Sequence, residues 1–319
     1  MTVTIAVGLE ATIDVWVTFP SLDDLGRFAR RYGGRLAEHV RRGYEAIAAG
    51  RGDEVSIDGR ARDARTLVRQ AREFGADIRR SLGGNGAQEA ATLEAIGANA
   101  VFLGAVPSSL IAGLPPESRE HFERADLSFA YVTEHRPASY ILQAPMTNRF
   151  ILCEGTGRRI EQLRPYLQGL PAVLERVADR YGRLDMVNLV GWHVLFANGI
   201  DDRDLRMIRN MIEDIRNAIG SPIFTDAGGL AAFDQRERRL LCKIYSLCDV
   251  LSVNEDEVLQ VSRAMGASAE DEFRAMHDIL TSLERVSTVW LHALEYQASL
   301  STAYERHALE GAQVAAASA

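Results

Sequence analysis

The sequence predicts an α/β fold: a central, mostly parallel, doubly wound sheet flanked by helices, with a small β-containing addition. Three observations carry this expectation. Short apolar, β-branched runs alternate with longer stretches of helical periodicity, the rhythm of a parallel sheet built from crossover connections. The apolar runs end in polar or acidic residues, as expected where a ligand site opens beyond the carboxyl ends of the strands. The composition supports a sizeable core, because 319 residues with 47% hydrophobic and 25% charged side chains exclude an intrinsically disordered chain. That length favours two domains or one large α/β domain.

Residues 2–7 (TVTIAV) are β-branched and stop at Gly8, so they predict a first buried strand. A polar stretch from about 21 to 49 places Leu25, Phe28, Ala29 and Tyr32 at helical spacing, with Ser21 as its N-cap. A loop rich in Gly, Arg and Asp then leads to a second helix over about 61–74. Residues 81–88 (SLGGNGAQ) open an Ala-rich helix that ends near Gly97, and 100–106 (AVFLGAV) form a short strand closed by Pro107. Between about 129 and 154 the segments AYVT, SYILQA and RFILCE alternate between polar turns and suggest a small sheet of hairpin-like strands. From Tyr166 the βα rhythm returns. MVNLVG (186–191), PIFTDAG (222–228), DVLSVN (249–254) and STVWLH (287–292) predict parallel core strands. An amphipathic helix lies between the first two of these, with Leu205, Ile208, Met211, Ile212, Ile215 and Ile219 on one face.

The formal net charge of −8 disfavours nonspecific nucleic-acid binding. Cys153, Cys242 and Cys248 form no CxxC pair and no metal-ligand spacing, which suits buried thiols in a reducing cytoplasm. The amino terminus has no basic start and carries Glu10 and Asp14 in its apolar stretch, unlike a signal peptide. No run of 18 apolar residues occurs. A soluble, cytoplasmic protein without membrane partners is expected.

Chemistry should collect at one rim of the sheet. Glu10 and Asp14 follow the first strand, Trp192 and His193 follow MVNLVG, and Asp226 closes PIFTD. Asn254 with Glu255, Asp256 and Glu257 opens a helix, and His292 ends the last strand. Each has a plain structural role available. Asn254 at a strand-to-helix junction suits an N-cap with Glu257 as its capping-box partner, and His193 and His292 suit structural histidines. Asp14 is different, because a carboxylate closing a buried apolar strand costs free energy unless it is paired or functional. The segment GNGAQE begins like GxGxxG but has Glu89 in the third glycine position, so it does not predict a dinucleotide fingerprint.

These segments together resemble the archaeal-type ADP-dependent sugar kinases (glucokinase and phosphofructokinase), a branch of the ribokinase-like superfamily. GLEATID stands where that family has G-x-N-x-N-I-D, and LGGNGAQEAATLEAIGA is similar to its Gly-Gly-Gln/Asn segment. NRFIL resembles a lid strand, LVGWHVL a strand ending in Ser/Thr-Gly, and FTDAGGLAAFDQRERR a His-x-Glu segment followed by basic residues. VLSVNEDEV is similar to the superfamily's N-x-x-E motif, and VWLHALEYQASLST to its L-H-x…Tyr strand. The order and approximate spacing agree over most of the chain.

The resemblance implies a ribokinase-like fold with 1–18, 76–125 and 166–319 in the large domain and 19–75 and 126–165 in a small lid. It implies phosphorylation of a sugar or sugar phosphate by ADP with Mg²⁺. Asp14 would bind sugar hydroxyls, and Gly83, Gly84 and Asn85 would contact the sugar. Asp226 and Glu257 would hold Mg²⁺, and Asn254 of the N-x-x-E motif would lie at the nucleotide. Arg149, Arg158 and Arg159 are candidates for a substrate phosphate. Several positions depart from the family. Glu10 and Thr12 replace asparagines, Phe224 replaces the His of His-x-Glu, and Asp226 replaces its Glu. The Gly-x-Gly-Asp motif that supplies the family's catalytic base is not found after the late strands, and Gly50-Arg51-Gly52-Asp53 lies too far upstream to be it. Residues after Tyr296 read QASLSTAYERHALEGAQVAAASA and stop in what looks like the middle of a helix. The expectation is therefore a truncated or naturally short kinase, or an inactive sugar- or nucleotide-binding relative; a generic ATP-dependent ribokinase fits less well. Oligomeric state is not readable.

Overall fold

Period-2 and continuous apolar runs become fourteen strands among the described residues, which are 2–303 except 10, 58–59, 108–109, 111–113, 115, 134–137, 155–158, 197–198, 231–232 and 294–295 of a computed structural model. In chain order they are β1 (Thr4–Gly8), β2 (Thr12–Thr18), β3 (Asp53–Ser56), β4 (Asp77–Gly83), β5 (Asn99–Phe102), β6 (Ala105–Pro107) and β7 (Tyr131–Thr133). There follow β8 (Ala138–Gln143), β9 (Phe150–Cys153), β10 (Met186–Leu189), β11 (Ile223–Asp226), β12 (Val250–Val253), β13 (Thr288–His292) and β14 (Gln297–Ser301).

The larger sheet runs β14-β13-β12-β11-β10-β1-β5. All neighbours are parallel except β14, which returns antiparallel along β13. Helices flank it, so this is the mostly parallel, doubly wound α/β architecture expected. The helix Asp202–Ile219 shows why. Asp201 caps it by accepting from Arg203 and Asp204 amides at 2.9 Å, and Gly220 ends it at φ 69°. Its Leu205, Ile208, Met211, Ile212 and Ile215 are buried in one apolar cluster with strand residues Val187, Leu189, Ile223 and Leu251. Burial of each such side chain stabilises the fold by about 1.5–3 kcal/mol.

The second sheet runs β3-β9-β8-β2-β4 and has its own core. Alternate residues face opposite ways along a strand. Val15, Val17, Tyr140, Leu142, Phe150 and Leu152 pack against Leu25, Phe28, Val40 and Leu67 from the helices Leu22–Arg31, Ala37–Ala48 and Ala61–Glu73, and against Leu36 just ahead of the second. Asp14, Trp16, Ser139, Ile141, Ile151 and Cys153, the residues between them, line a cavity.

Four expectations change. Asp14 does not close the first strand; it is the third residue of β2, in register with Ser81 of β4 and Ser139 of β8. Residues 12–18 and 77–83, placed with the larger unit from the sequence, thus pair in the smaller sheet. The helix expected over 21–49 is two helices, because Tyr32 turns extended and a Cβ at Gly34 would run into the Tyr32 ring. The strand expected over 100–106 is likewise two, since β6 leaves the large sheet and pairs with β7 rather than β7 joining a meander with β8. Residues 297–301, within the VWLHALEYQASLST segment likened to a family strand, form β14. Ser21 does cap its helix, accepting from the Asp24 amide at 3.1 Å. Glu10, Arg158 and the terminal Ala-rich stretch lie outside the described residues, as does the Arg159 side chain. Among the described residues, no helix is long and apolar enough to cross a membrane.

Candidate active site

A cavity of about 170 Å³ lies between the two sheets, lined by Thr12, Asp14, Trp16, Glu54, Gly84, Asn85, Arg149, Cys153 and His193 among others. Asp14 is 9% exposed. Burial pushes its carboxyl up to about 7, against the opposing pull of Arg149 and of the Thr12 hydroxyl, which donates to it at 3.5 Å. The site therefore holds a carboxyl that the protein alone leaves weakly compensated. The Trp16 ring stands beside it, with Nε1 donating to Ser81 Oγ at 2.8 Å. The Cys153 thiol donates to Glu54 at 2.8 Å on the far wall.

The Gly83-Gly84-Asn85 segment ends β4 and starts the helix Asn85–Ala95, with Gly84 at φ 83°. A side chain at Gly83 would collide with the Asp14 carboxylate and Thr12 hydroxyl. Gly83→Ala should accordingly cost about 1–3 kcal/mol of stability. Urea unfolding measures this, and an unchanged midpoint would show that Asp14 has room to move. Helix packing is equally close at Gly86, where a Cβ would lie 2.7 Å from the Gly8 carbonyl oxygen.

Neighbouring strand ends bring the second group together. Asp226 ends β11, His292 ends β13, and Glu257 lies in the first turn of the helix Glu255–Ala264 that follows β12. One ligand atom from each of Asp226, Glu257 and His292 lies within 4.8 Å of the others. Asn254 caps the helix, accepting from Asp256 and Glu257 amides at 3.0 and 2.8 Å, while Glu257 accepts from the Asn254 amide at 2.9 Å. The capping box expected from sequence thus exists, and it also aims Glu257 at Asp226. Burial first, then the Asp226 charge, push the Glu257 carboxyl up to about 7. Asp226 accepts from the Gly228 amide at 3.0 Å, and His292 Nδ1 is 3.1 Å from the Ser252 hydroxyl. Two carboxylates facing each other are a donor set that suits Mg²⁺, with waters completing its shell.

One residue joins the two groups. Asn85 lines the small cavity beside Asp14, and its Nδ2 donates to Asp226 Oδ1 at 3.2 Å. It also lines a larger groove of about 1050 Å³ along the sheet face, with Glu89, Asn188, Phe224, Trp290 and His292. Burial and the Asp226 charge push the Glu89 carboxyl up to about 7, although Asn188 donates a hydrogen bond to it.

Of the residues singled out in sequence, Asp14, Gly84, Asn85 and Arg149 meet at the cavity, with Gly83 beneath Asp14. Asp226 and Glu257 meet beside it, and His292 joins them. Asn254 lines neither space. Sequence reasoning did not find Trp16, Glu54, Cys153 or Asn188; only the alternation of β2 and β9 carried a signal, for Trp16 and Cys153.

Residues 42–319 match the sequence profile of the ADP-specific phosphofructokinase/glucokinase conserved region. The chain belongs to that family. The ADP-specific phosphofructokinase/glucokinase family is one of ADP-dependent sugar kinases, and its kinases generally use a divalent metal with ADP. A search of curated proteins found no match. The fold of this family member is similar to that of a phosphofructokinase from Pyrococcus horikoshii OT3 solved with AMP (TM-score 0.59, 14% identity, covering 91% of this chain and 73% of that one). It is also similar to adenosine kinase from Sinorhizobium meliloti (TM-score 0.57, 14% identity, 95% and 78% covered). A third likeness is a Methanocaldococcus jannaschii nucleoside kinase described as an archaeal member of the ribokinase family (TM-score 0.52, 12% identity, 94% and 74% covered). The fold is ribokinase-like.

Proposed function

We propose that this chain transfers the terminal phosphoryl group of ADP to a hydroxyl of a sugar or sugar phosphate, releasing AMP. The observation that carries this reading is the position of Asn85, which touches the Asp14 cavity on one side and Asp226 on the other. A substrate bound at Asp14 would therefore present a hydroxyl beside the acidic cluster.

Asp14 accepts hydrogen bonds from two vicinal hydroxyls, which add to the single long bond from Thr12. Gly84 lets substrate approach the helix start, and the Asn85 amide orients it while also steadying Asp226. Gly83 leaves room for the Asp14 carboxylate. Arg149 offers the cavity a positive charge for a phosphorylated substrate. Asp226 and Glu257 would hold Mg²⁺, which would supply positive charge to the diphosphate. Asn254, which lines neither space, acts on the nucleotide side of the site through Glu257, which its cap positions for that contact. The smaller sheet with its helices acts as the lid, excluding water from the transferring group.

Incubation of the chain with ADP, Mg²⁺ and a panel of hexoses and hexose phosphates tests this. AMP should appear in equal amount with one phosphorylated sugar. Failure of every panel member to bind by calorimetry, with or without ADP, would overturn the reading.

A further inference from the structure

We propose that Glu89 is a positioning residue of the cation site: its carboxylate and the amide oxygen of Asn188 take hydrogen bonds from the water shell of the cation held by Asp226 and Glu257. The inference rests on the metal site of the proposed function and adds two residues to it.

Glu89 lies one turn after Asn85 on the helix Asn85–Ala95, so the two side chains share a face. Asn85 donates to Asp226, and Glu89 accepts from Asn188 Nδ2 across the groove. Asn188 is 3% exposed, and its Oδ1 has no hydrogen-bond partner among the described residues. That corner of the groove is thus made of acceptors: the Glu89 carboxylate, Asn188 Oδ1 and the Asp226 carboxylate.

Besides the Asn85 and Asn188 amides, which each give one bond to Asp226 and Glu89, the nearby side-chain donors of the helix are engaged elsewhere. Gln88 Nε2 donates to the Leu82 carbonyl at 3.0 Å and the Thr92 hydroxyl to the Gln88 carbonyl at 2.9 Å. No lysine or arginine is among the residues lining the groove. A sheltered carboxylate that shares the groove with a second one, beside an unpaired buried oxygen, calls for donors and positive charge from outside the chain. A hydrated divalent cation supplies both, since its waters can only donate outward. The competing arrangement is a protonated Glu89 donating to a rotated Asn188 amide, which would make the pair purely structural.

Mn²⁺ titration of the nucleotide-free chain, followed by electron paramagnetic resonance, separates these arrangements. Glu89→Gln keeps the size of the side chain and its bond to Asn188 but removes the charge. It should weaken Mn²⁺ binding about tenfold or more, the usual effect of losing an outer partner of a metal site. Its melting temperature in chelator should stay at or above that of the wild type. Glu89→Asp, which keeps the charge, should recover part of the affinity. Should Glu89→Gln not fold, Asn188→Ser draws the second acceptor back onto a shorter side chain and should also weaken Mn²⁺ binding. Wild-type affinity in both Glu89→Gln and Asn188→Ser, alongside a large loss in Asp226→Asn, would leave the cation site standing and overturn the role of Glu89. Equal Mn²⁺ binding by the wild type and Asp226→Asn would overturn the cation site itself.

Discussion

Asp14→Asn is expected to lose sugar binding by a hundredfold or more and, in the absence of sugar, to be more stable than the wild type above neutral pH. Both effects come from the same carboxylate. Hydrogen bonds to a charged group are worth about 1.5–3 kcal/mol each, so losing two charge-assisted bonds to a diol accounts for the affinity. The stability change follows from proton linkage. The Asp14 carboxyl moves from 3.8 to about 7 on folding, chiefly through burial. Between those values the folded chain holds a proton that the unfolded chain has released, so stability falls as pH rises through this window. A rise of that size corresponds to about 4 kcal/mol at ~1.36 kcal/mol for each pH unit, and the penalty stays constant above pH 7. The asparagine variant carries no such penalty. Urea unfolding at pH 8 should favour the variant by up to about 4 kcal/mol, and the two curves should converge near pH 4. Saturating sugar should reverse the order at pH 8, because it binds only the wild type tightly. A variant with wild-type sugar affinity would remove Asp14 from the binding site.

The parts of this site that were legible in sequence are those set by short-range pattern. β10 to β13 are apolar runs because both faces of a parallel sheet are covered, and their polar ends mark the rim where Asp226 and His292 stand. The Asn254–Glu257 capping box is a four-residue pattern and could be read directly. β14 could not be, since each of its residues is half-buried and the segment has no apolar period. Asp14 was placed on the wrong strand because three residues separate β1 from β2, too few to suggest that the chain passes to a second sheet. The meeting of Asp14 with Arg149, and of Glu89 with Asn188, depends on contacts across more than ninety residues of chain. Glu89 did stand out as the residue that spoils a glycine motif, but the partner explaining it lies on β10.

Glu257→Gln should abolish most of the Mg²⁺ dependence of ADP binding while leaving the fold nearly unchanged. The structure gives Glu257 two jobs, and this substitution separates them. As the third residue of its helix it accepts from the Asn254 amide at 2.9 Å, a bond that a glutamine side-chain oxygen can also accept. As a neighbour of Asp226 and His292 it supplies one of the two carboxylates a divalent cation would meet, and a neutral amide cannot replace that charge. Removing the charge also relieves the repulsion from Asp226, so stability without metal should stay level or rise slightly. Asn254→Ala makes the complementary change. It removes the cap, costing about 0.5–2 kcal/mol, and leaves the Glu257 carboxylate in place. Calorimetric titration of ADP with and without Mg²⁺, paired with urea unfolding, should therefore split the variants: Glu257→Gln loses the metal effect with stability kept, and Asn254→Ala loses stability with much of the metal effect kept. If Glu257→Gln binds ADP with the full Mg²⁺ enhancement, Glu257 serves the helix cap alone and the metal must be held without it.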